Sequence, residues 1–145
     1  MINPEDEVFP SGPEVFTKLV TIDDDDEEED NCLRISEIKG EPKLGTACIM
    51  WESSLIFAKY FHHNLKSIKT DCLGEGQKRK LNILELGSGT GMLGLYMAAL
   101  GCNVILSDLE KVSTTVLQAN LSDEINVNLL KENDGTAKIM ALDWT

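Results

Sequence analysis

The stretch LNILELGSGTGMLGLYMAAL, residues 81–100, constrains this chain more than any other. It runs from an apolar strand pattern (81–86) through glycines at 87, 89 and 91 into an apolar helix pattern (91–100). A strand that enters a helix through such a turn brings several backbone N–H groups to one point at the sheet edge. Side chains there would hold a ligand off, so glycine signals close approach to the backbone. Glycines used only for a tight turn are the plainer alternative, which the surrounding strand–helix unit disfavours.

The rest of the chain continues the theme. NVILSD (103–108) reads as a second strand, EKVSTTVLQANL (110–121) as a second helix and TAKIMALDW (136–144) as a third strand. Strands alternating with helices predict a parallel α/β sheet with right-handed crossovers. Strands this apolar predict helical cover on both faces. Upstream, GTACIMWESSLIFAKYFHHNLKSI (45–68) has helical spacing. Ile49, Leu55, Ile56 and Phe61 fall with Trp51 and Ala58 on one broad face. KTDCLGEGQKRK (69–80) reads as a polar linker.

Two strands of a hairpin are expected at EVFTKLVTI (14–22) and NCLRISEIKG (31–40). Between them DDDDEEED (23–30) carries only like charges and reads as a disordered loop. An acidic lure for a basic partner is its functional alternative. Residues 1–13 hold three of the four prolines and read as flexible. The chain thus divides into an acidic N-terminal extension with a hairpin, 1–43, and an α/β part, 44–145.

Charge bears on partners. Of the 25 acidic residues, 12 lie in residues 1–31 with a single base, so the formal −12 belongs mostly to the N-terminus. The remainder of the chain is near neutral, and no basic face points to nucleic acid. Cysteines at 32, 48, 72 and 102 and the adjacent His62 and His63 lack metal-ligand spacing. The first residues lack the positive start and apolar run of a signal peptide. No segment approaches the roughly 20 apolar residues of a membrane helix. A reduced, soluble protein of the cytoplasm, and also the nucleus, is expected, with no metal, membrane or nucleic-acid partner.

Two ligand classes compete for the glycine turn. A dinucleotide fold asks for G-x-G-x-x-G at the strand end. Counting from Gly87 puts Met92 where the third glycine belongs, and the match at 89–94 (GTGMLG) begins too late. Glu85 would repel a pyrophosphate but attract a cation. The run Glu85-x-Gly87-x-Gly89-x-Gly91 therefore favours a ligand with an ammonium and a sulfonium over a nicotinamide dinucleotide. Asp108, 21 residues after Gly87, can accept from both hydroxyls of a ribose. Each such charge-assisted bond contributes roughly 1.5–3 kcal/mol. Capping the following helix is a compatible second role. Asp143 and Trp144 close the third strand with a polar group and a flat ring, Trp144 in the core being the alternative.

Together these residues resemble a class I, seven-β-strand S-adenosylmethionine-dependent methyltransferase, and more narrowly a family 16 protein-lysine methyltransferase. The resemblance runs from about residue 44 to 145. LGTACIMWESSLIFAKYF is similar to that family's helix before the core, and ILELGSGTGMLGL to its cofactor motif. SDLEKVSTTVLQAN resembles its acidic second-strand end and next helix, and LDW its third-strand end. The implied fold is a Rossmann-like doubly wound parallel sheet, truncated after the third strand, with an N-terminal hairpin and helix.

The implied cofactor is S-adenosyl-L-methionine. By position, Trp51 would lie against its methionine end, and Gly87, Ser88 and Gly89 around its amino-acid and ribose portion. Glu85 would hold the ammonium through water, Asp108 the ribose hydroxyls, and Trp144 would border the adenine. The family's strand order, 3-2-1-4-5-7-6, would leave strand 81–86 an open apolar edge prone to aggregation. Its Asp-x-x-Tyr segment, which shapes the lysine pocket, is absent, and the acidic insert departs from its pattern. The implied activity is methyl transfer to a lysine of a protein substrate, a translation factor or chaperone. Deprotonating that lysine at pH 7 costs roughly 4–5 kcal/mol unless the site helps. No residue here reads as catalytic, and His62 and His63 read as surface or packing residues. A fragment or truncated form of such an enzyme is expected; the alternative is an inactive protein-interaction module derived from one.

Overall fold

The apolar run after the glycine turn folds as helix α2 (Met92–Ala99), and seven of its eight residues are buried. A helix apolar on every side must be covered on every side. In the computed structural model, which describes residues 12–22 and 31–143, neighbouring strands and helices supply that cover. The strands are β1 (Glu14–Thr21), β2 (Cys32–Lys39), β3 (Asn82–Leu86), β4 (Asn103–Asp108) and β5 (Thr136–Ala141). With them come helices α1 (Glu52–Leu73), α3 (Glu110–Ser113), α4 (Val116–Leu121) and α5 (Glu124–Glu132), and a 3-10 turn over Gly45–Cys48.

Two sheets form. β1 and β2 pair antiparallel in unbroken register, Glu14 opposite Lys39 through Thr21 opposite Cys32. The parallel sheet has the order β3-β4-β5, with Glu85 beside Leu106 and Leu106 beside Ile139. This is the expected Rossmann-like α/β architecture, preceded by a hairpin and a helix, and β3 stands at an edge of the described sheet. Cover differs from expectation. Helices pack on the face of Ile83, Val104, Leu106 and Ile139. The other face presents Leu84 (52% exposed), Leu86 and Met140 to solvent. Alternation along β3 and β5 follows from that one-sided cover among the described residues.

The hairpin belongs to the same core. Leu33 and Ile35 of β2 are fully buried in one cluster with Leu95, Tyr96 and Leu106. Tyr96 Oη donates to the Ile22 carbonyl at 2.7 Å. Its one proton is thereby used, so His62 Nδ1, 3.2 Å away, acts as donor to the phenol oxygen. His62 is a packing residue of α1. One edge of β2 faces β1; two buried amides satisfy the other. Asn126 accepts the Arg34 N–H and donates to the Arg34 carbonyl, both at 2.8 Å. Asn120 accepts the Ser36 N–H at 2.8 Å and donates to the Ser36 carbonyl at 3.0 Å. The side chains act as a neighbouring strand would.

Several boundaries move from their expected places. The helix expected over 45–68 starts at Glu52 and runs to Leu73, where Gly74 caps it. Its early start fails because Ile49 and Trp51 are extended, and the Met50 N–H donates to Glu37 instead of to a helical carbonyl. The extra turn at the other end comes from residues read as linker. Its buried face is narrow: Ala58 and Phe61 are buried, whereas Ile56 is 69% exposed. The helix expected over 110–121 breaks at Thr114–Thr115 into α3 and α4. There Thr114 and Thr115 hydroxyls bond back to the Glu110 and Lys111 carbonyls, a habit that weakens helices. α5 fills a stretch that the sequence pattern left unassigned. The third strand stops at Ala141, and the acidic run 23–30 and residues 1–11 lie outside the described residues.

The amide clamp is testable. Asn126→Ala would leave the Arg34 N–H and carbonyl and the Asn120 carbonyl unpaired in the core. A loss of about 2–4 kcal/mol in urea unfolding is expected. Asn128→Ala on the exposed side of the same helix is expected to stay within about 0.5 kcal/mol. Equal losses would contradict the clamp.

Candidate functional site

The glycine turn is built by hydrogen bonds that lengthen the β3–β4 ladder beyond the strands. The Ser88 N–H donates to the Ser107 carbonyl at 2.9 Å, and Ser88 Oγ accepts the Ser107 N–H at 3.0 Å. Both hydroxyls, Ser88 at 3.3 Å and Ser107 at 2.6 Å, donate to the Glu85 carbonyl. Ser88 is therefore spent largely on the turn itself. Its carbonyl accepts the Gly91 N–H at 2.7 Å, and Gly91, left-handed at φ 79°, opens α2.

Close approach requires glycine at positions 89 and 94. Gly89 has φ +54°, and a Cβ there would stand 2.8 Å from the Ala47 carbonyl oxygen of the 3-10 turn. A Cβ at Gly94 would collide with Leu106 Cδ2 and Glu85 Oε2, so glycine lets α2 press onto the sheet. Gly87 differs: nothing lies within 4 Å of where its Cβ would be. That opening belongs to a cavity.

Asp108 ends β4 and is 8% exposed. Its Oδ2 accepts the Gly89 N–H at 2.8 Å and its Oδ1 the Leu109 N–H at 2.7 Å. Each oxygen keeps a further lone pair. The capping role expected of it takes the form of the Leu109 bond, one residue before α3. Its carbonyl accepts the Leu142 N–H at 2.8 Å, which draws the chain after β5 toward the site. Asp143 is exposed beyond that point, and Trp144 lies outside the described residues.

Glu85 stands behind the turn, half-buried. Burial pushes its carboxyl from the usual 4.5 up to about 7, the Asp108 charge adding to the rise and the Ser88 side chain and Gly94 N–H opposing it. Neither opposing group gives Oε2 a bond of ordinary geometry, and that oxygen is buried without a partner. A cation brought near would restore the carboxylate.

These residues line one cavity of about 280 Å³. Glu85, Gly87, Ser88, Gly89 and Asp108 contribute to it from the sheet edge, with Thr90 and Met92. Thr46, Ala47, Ile49, Trp51 and Ser54 contribute from the segment before and at the start of α1. Trp51 is the residue before α1 rather than part of a helix; its Nε1 donates to the Thr46 carbonyl at 3.2 Å and 56% of it is exposed. Six of the seven residues singled out from the sequence thus meet in one place. Neither His62 nor His63 is among the lining residues. Thr46 and Ala47 carried no signal in sequence, because only the fold brings the 3-10 turn against Gly89. A larger groove, about 550 Å³, crosses the open sheet face, but Lys138 is its one ionisable side chain. It is uncovered sheet, without clustered chemistry.

A glycine turn, an acid at the end of the next strand and an orphaned carboxylate behind the turn thus meet at one edge of the α/β sheet. Comparison with known proteins carries this further. Residues 27–145 match the family model described as lysine methyltransferase, and the chain belongs to that family. It is 29% identical to protein N-lysine methyltransferase METTL21A of Xenopus tropicalis over 110 residues, 74% of this chain and 44% of that protein. It is 30% identical to EEF1A lysine methyltransferase 3 of Xenopus tropicalis over 112 residues, 77% of this chain and 42% of that protein. With ribosomal protein L11 methyltransferase of Campylobacter jejuni it shares 33% identity over 87 residues, 60% of this chain and 26% of that one. The chain spans less than half the length of these relatives.

S-adenosyl-L-methionine is the cofactor expected of a chain in this family. The residues present fit it. Glu85 supplies an unpartnered acceptor for a cationic group, Asp108 has spare lone pairs for hydroxyls, and Gly87 leaves room. The cavity lies just below the roughly 300–1,000 Å³ of sites that enclose a drug-sized ligand. It has room for part of such a molecule.

Burial of Glu85 makes stability depend on pH. A carboxyl raised from 4.5 to about 7 contributes stability fully below its unfolded value and loses it as pH rises through about 7. Glu85→Gln is neutral at every pH. In ligand-free chain its stability relative to wild type is expected to grow by about 2–3 kcal/mol between pH 5 and pH 8. Urea midpoints across that range check it; a constant difference would contradict the burial of the charge.

Proposed function

We propose that this chain carries the S-adenosylmethionine-binding part of a protein-lysine methyltransferase, whose whole activity is methyl transfer to a lysine side chain of a protein substrate. The observation that carries this reading is the meeting of Trp51, Glu85, Gly87, Ser88, Gly89 and Asp108 around one cavity, in a chain of the lysine methyltransferase family. When bound, the cofactor supplies an electrophilic methyl group on a sulfonium. The residues here hold and orient it. Asp108 takes the ribose hydroxyls with its free lone pairs while its Gly89 bond fixes the turn. Glu85 answers the ammonium, Trp51 offers an aromatic face, and the glycines let the ligand reach the backbone. The cavity is lined by residues between Thr46 and Asp108, and the β1–β2 hairpin packs into the same core. The name of one relative, an EEF1A lysine methyltransferase, supports a translation factor as the substrate class.

Calorimetric titration of S-adenosylhomocysteine into the 145-residue chain tests this reading. Binding is expected, weakened at least about tenfold by Asp108→Ala, since each lost charge-assisted bond contributes about 1.5–3 kcal/mol. Circular dichroism of the variant confirms that it is folded. Binding of NAD in place of S-adenosylhomocysteine, or of neither by a well-folded monomer, would sink the reading. The second of these outcomes favours a protein-interaction module that has lost catalysis.

A further inference from the structure

Both sides of the cavity are fastened to the same strand, and by adjacent residues of it. Asn120, 1% exposed on α4, grips the Ser36 N–H and carbonyl of β2 and also donates to the Thr90 carbonyl at 2.8 Å. Thr90 lies inside the glycine turn. Glu37, the next residue of β2 and fully buried, accepts the Met50 N–H at 2.7 Å and the Lys18 ammonium at 3.0 Å, both on Oε1. Met50 immediately precedes Trp51. Glu37 Oε2 is buried without a partner. A carboxylate so placed is costly where an apolar side chain of similar size would be cheap. What it does is hold the Met50–Trp51 segment out of the helix.

We propose that Glu37 and Asn120 are positioning residues for the cofactor cavity, tying the docked hairpin to the glycine turn and to Trp51. Cofactor binding and hairpin docking then reinforce one another, since coupling between two such events is reciprocal. The inference rests on the cofactor reading above.

The test has two parts. In the first, S-adenosylhomocysteine is titrated into wild type, Glu37→Leu, Glu37→Gln and Asn120→Ala, each shown by circular dichroism to be folded at the working temperature. Glu37→Leu and Asn120→Ala are expected to weaken binding about tenfold, which is about 1.4 kcal/mol. Glu37→Gln keeps an oxygen for the Met50 N–H and is expected to restore most of the affinity. A residue serving stability alone would lower the melting temperature and leave the affinity of the folded chain unchanged. In the second part, amide exchange of wild type is followed with and without S-adenosylhomocysteine. Exchange at Met50 and Ser36 is expected to slow about tenfold more than at Gly74, at the far end of α1.

Wild-type binding that both variants retain in full would overturn the proposal and leave the cofactor reading standing. Absence of binding by wild type overturns the cofactor reading, and the proposal with it. Should the variants fail to fold, the exchange experiment decides: equal slowing at Met50, Ser36 and Gly74 would overturn the coupling.

Discussion

The bond from the Gly89 N–H to the Asp108 carboxylate, 2.8 Å long, sets where the glycine turn sits. It joins the end of β4 to a loop that follows β3, across 19 residues of chain. With the Ser88–Ser107 bonds it holds the turn in line with the sheet, so that α2 starts at a fixed height and drops onto Leu106. Position and composition are then mutually dependent. A turn held that close to the 3-10 segment admits no side chain at 89, and a helix that close to β4 admits none at 94. The same carboxylate that builds the site also faces the cavity, so the turn around the ligand space is bonded into place by a group that lines it.

A second constraint comes from outside the parallel sheet. A two-stranded hairpin is marginal by itself. Here β2 buries Leu33 and Ile35 in the common core and has its remaining edge satisfied by Asn120 and Asn126. Unpaired amides at those depths would each cost about 1–3 kcal/mol, so the match of β2 to α4 and α5 is strongly specified. The hairpin is thereby part of the domain's construction, and its contacts reach the cavity through Thr90 and Met50.

How much of this could be read from the sequence depends on how local the cause is. The glycine turn, β3 and β4 were legible because a strand, its turn and its helix are consecutive and their signals are backbone signals. Asp108 was legible from its place at the end of an apolar strand. The start of α1 was not, since the bond that keeps Met50 out of the helix comes from Glu37 in another element. The break at Thr114–Thr115 had a signal, two adjacent threonines, that apolar periodicity overrode. α5 went unassigned because its buried face, Asn126 with Leu129 and Leu130, begins with an amide. Asn120 sits likewise on the face of Val116 and Leu117. In both helices the asparagine stands at helical spacing with the buried apolar residues and pairs with the β2 edge. The width of the apolar face of α1 was not legible at all: Ile56 has helical spacing and is exposed.

The glycine turn and the Trp51 segment line the two sides of the proposed cofactor cavity. A crystal structure of the chain grown with S-adenosylhomocysteine tests it most directly. The ligand is expected between Trp51 and the 87–89 backbone, with its ribose hydroxyls on Asp108 and its ammonium toward Glu85. Ligand density on the open sheet face, or a glycine turn left empty at saturating ligand, would contradict it.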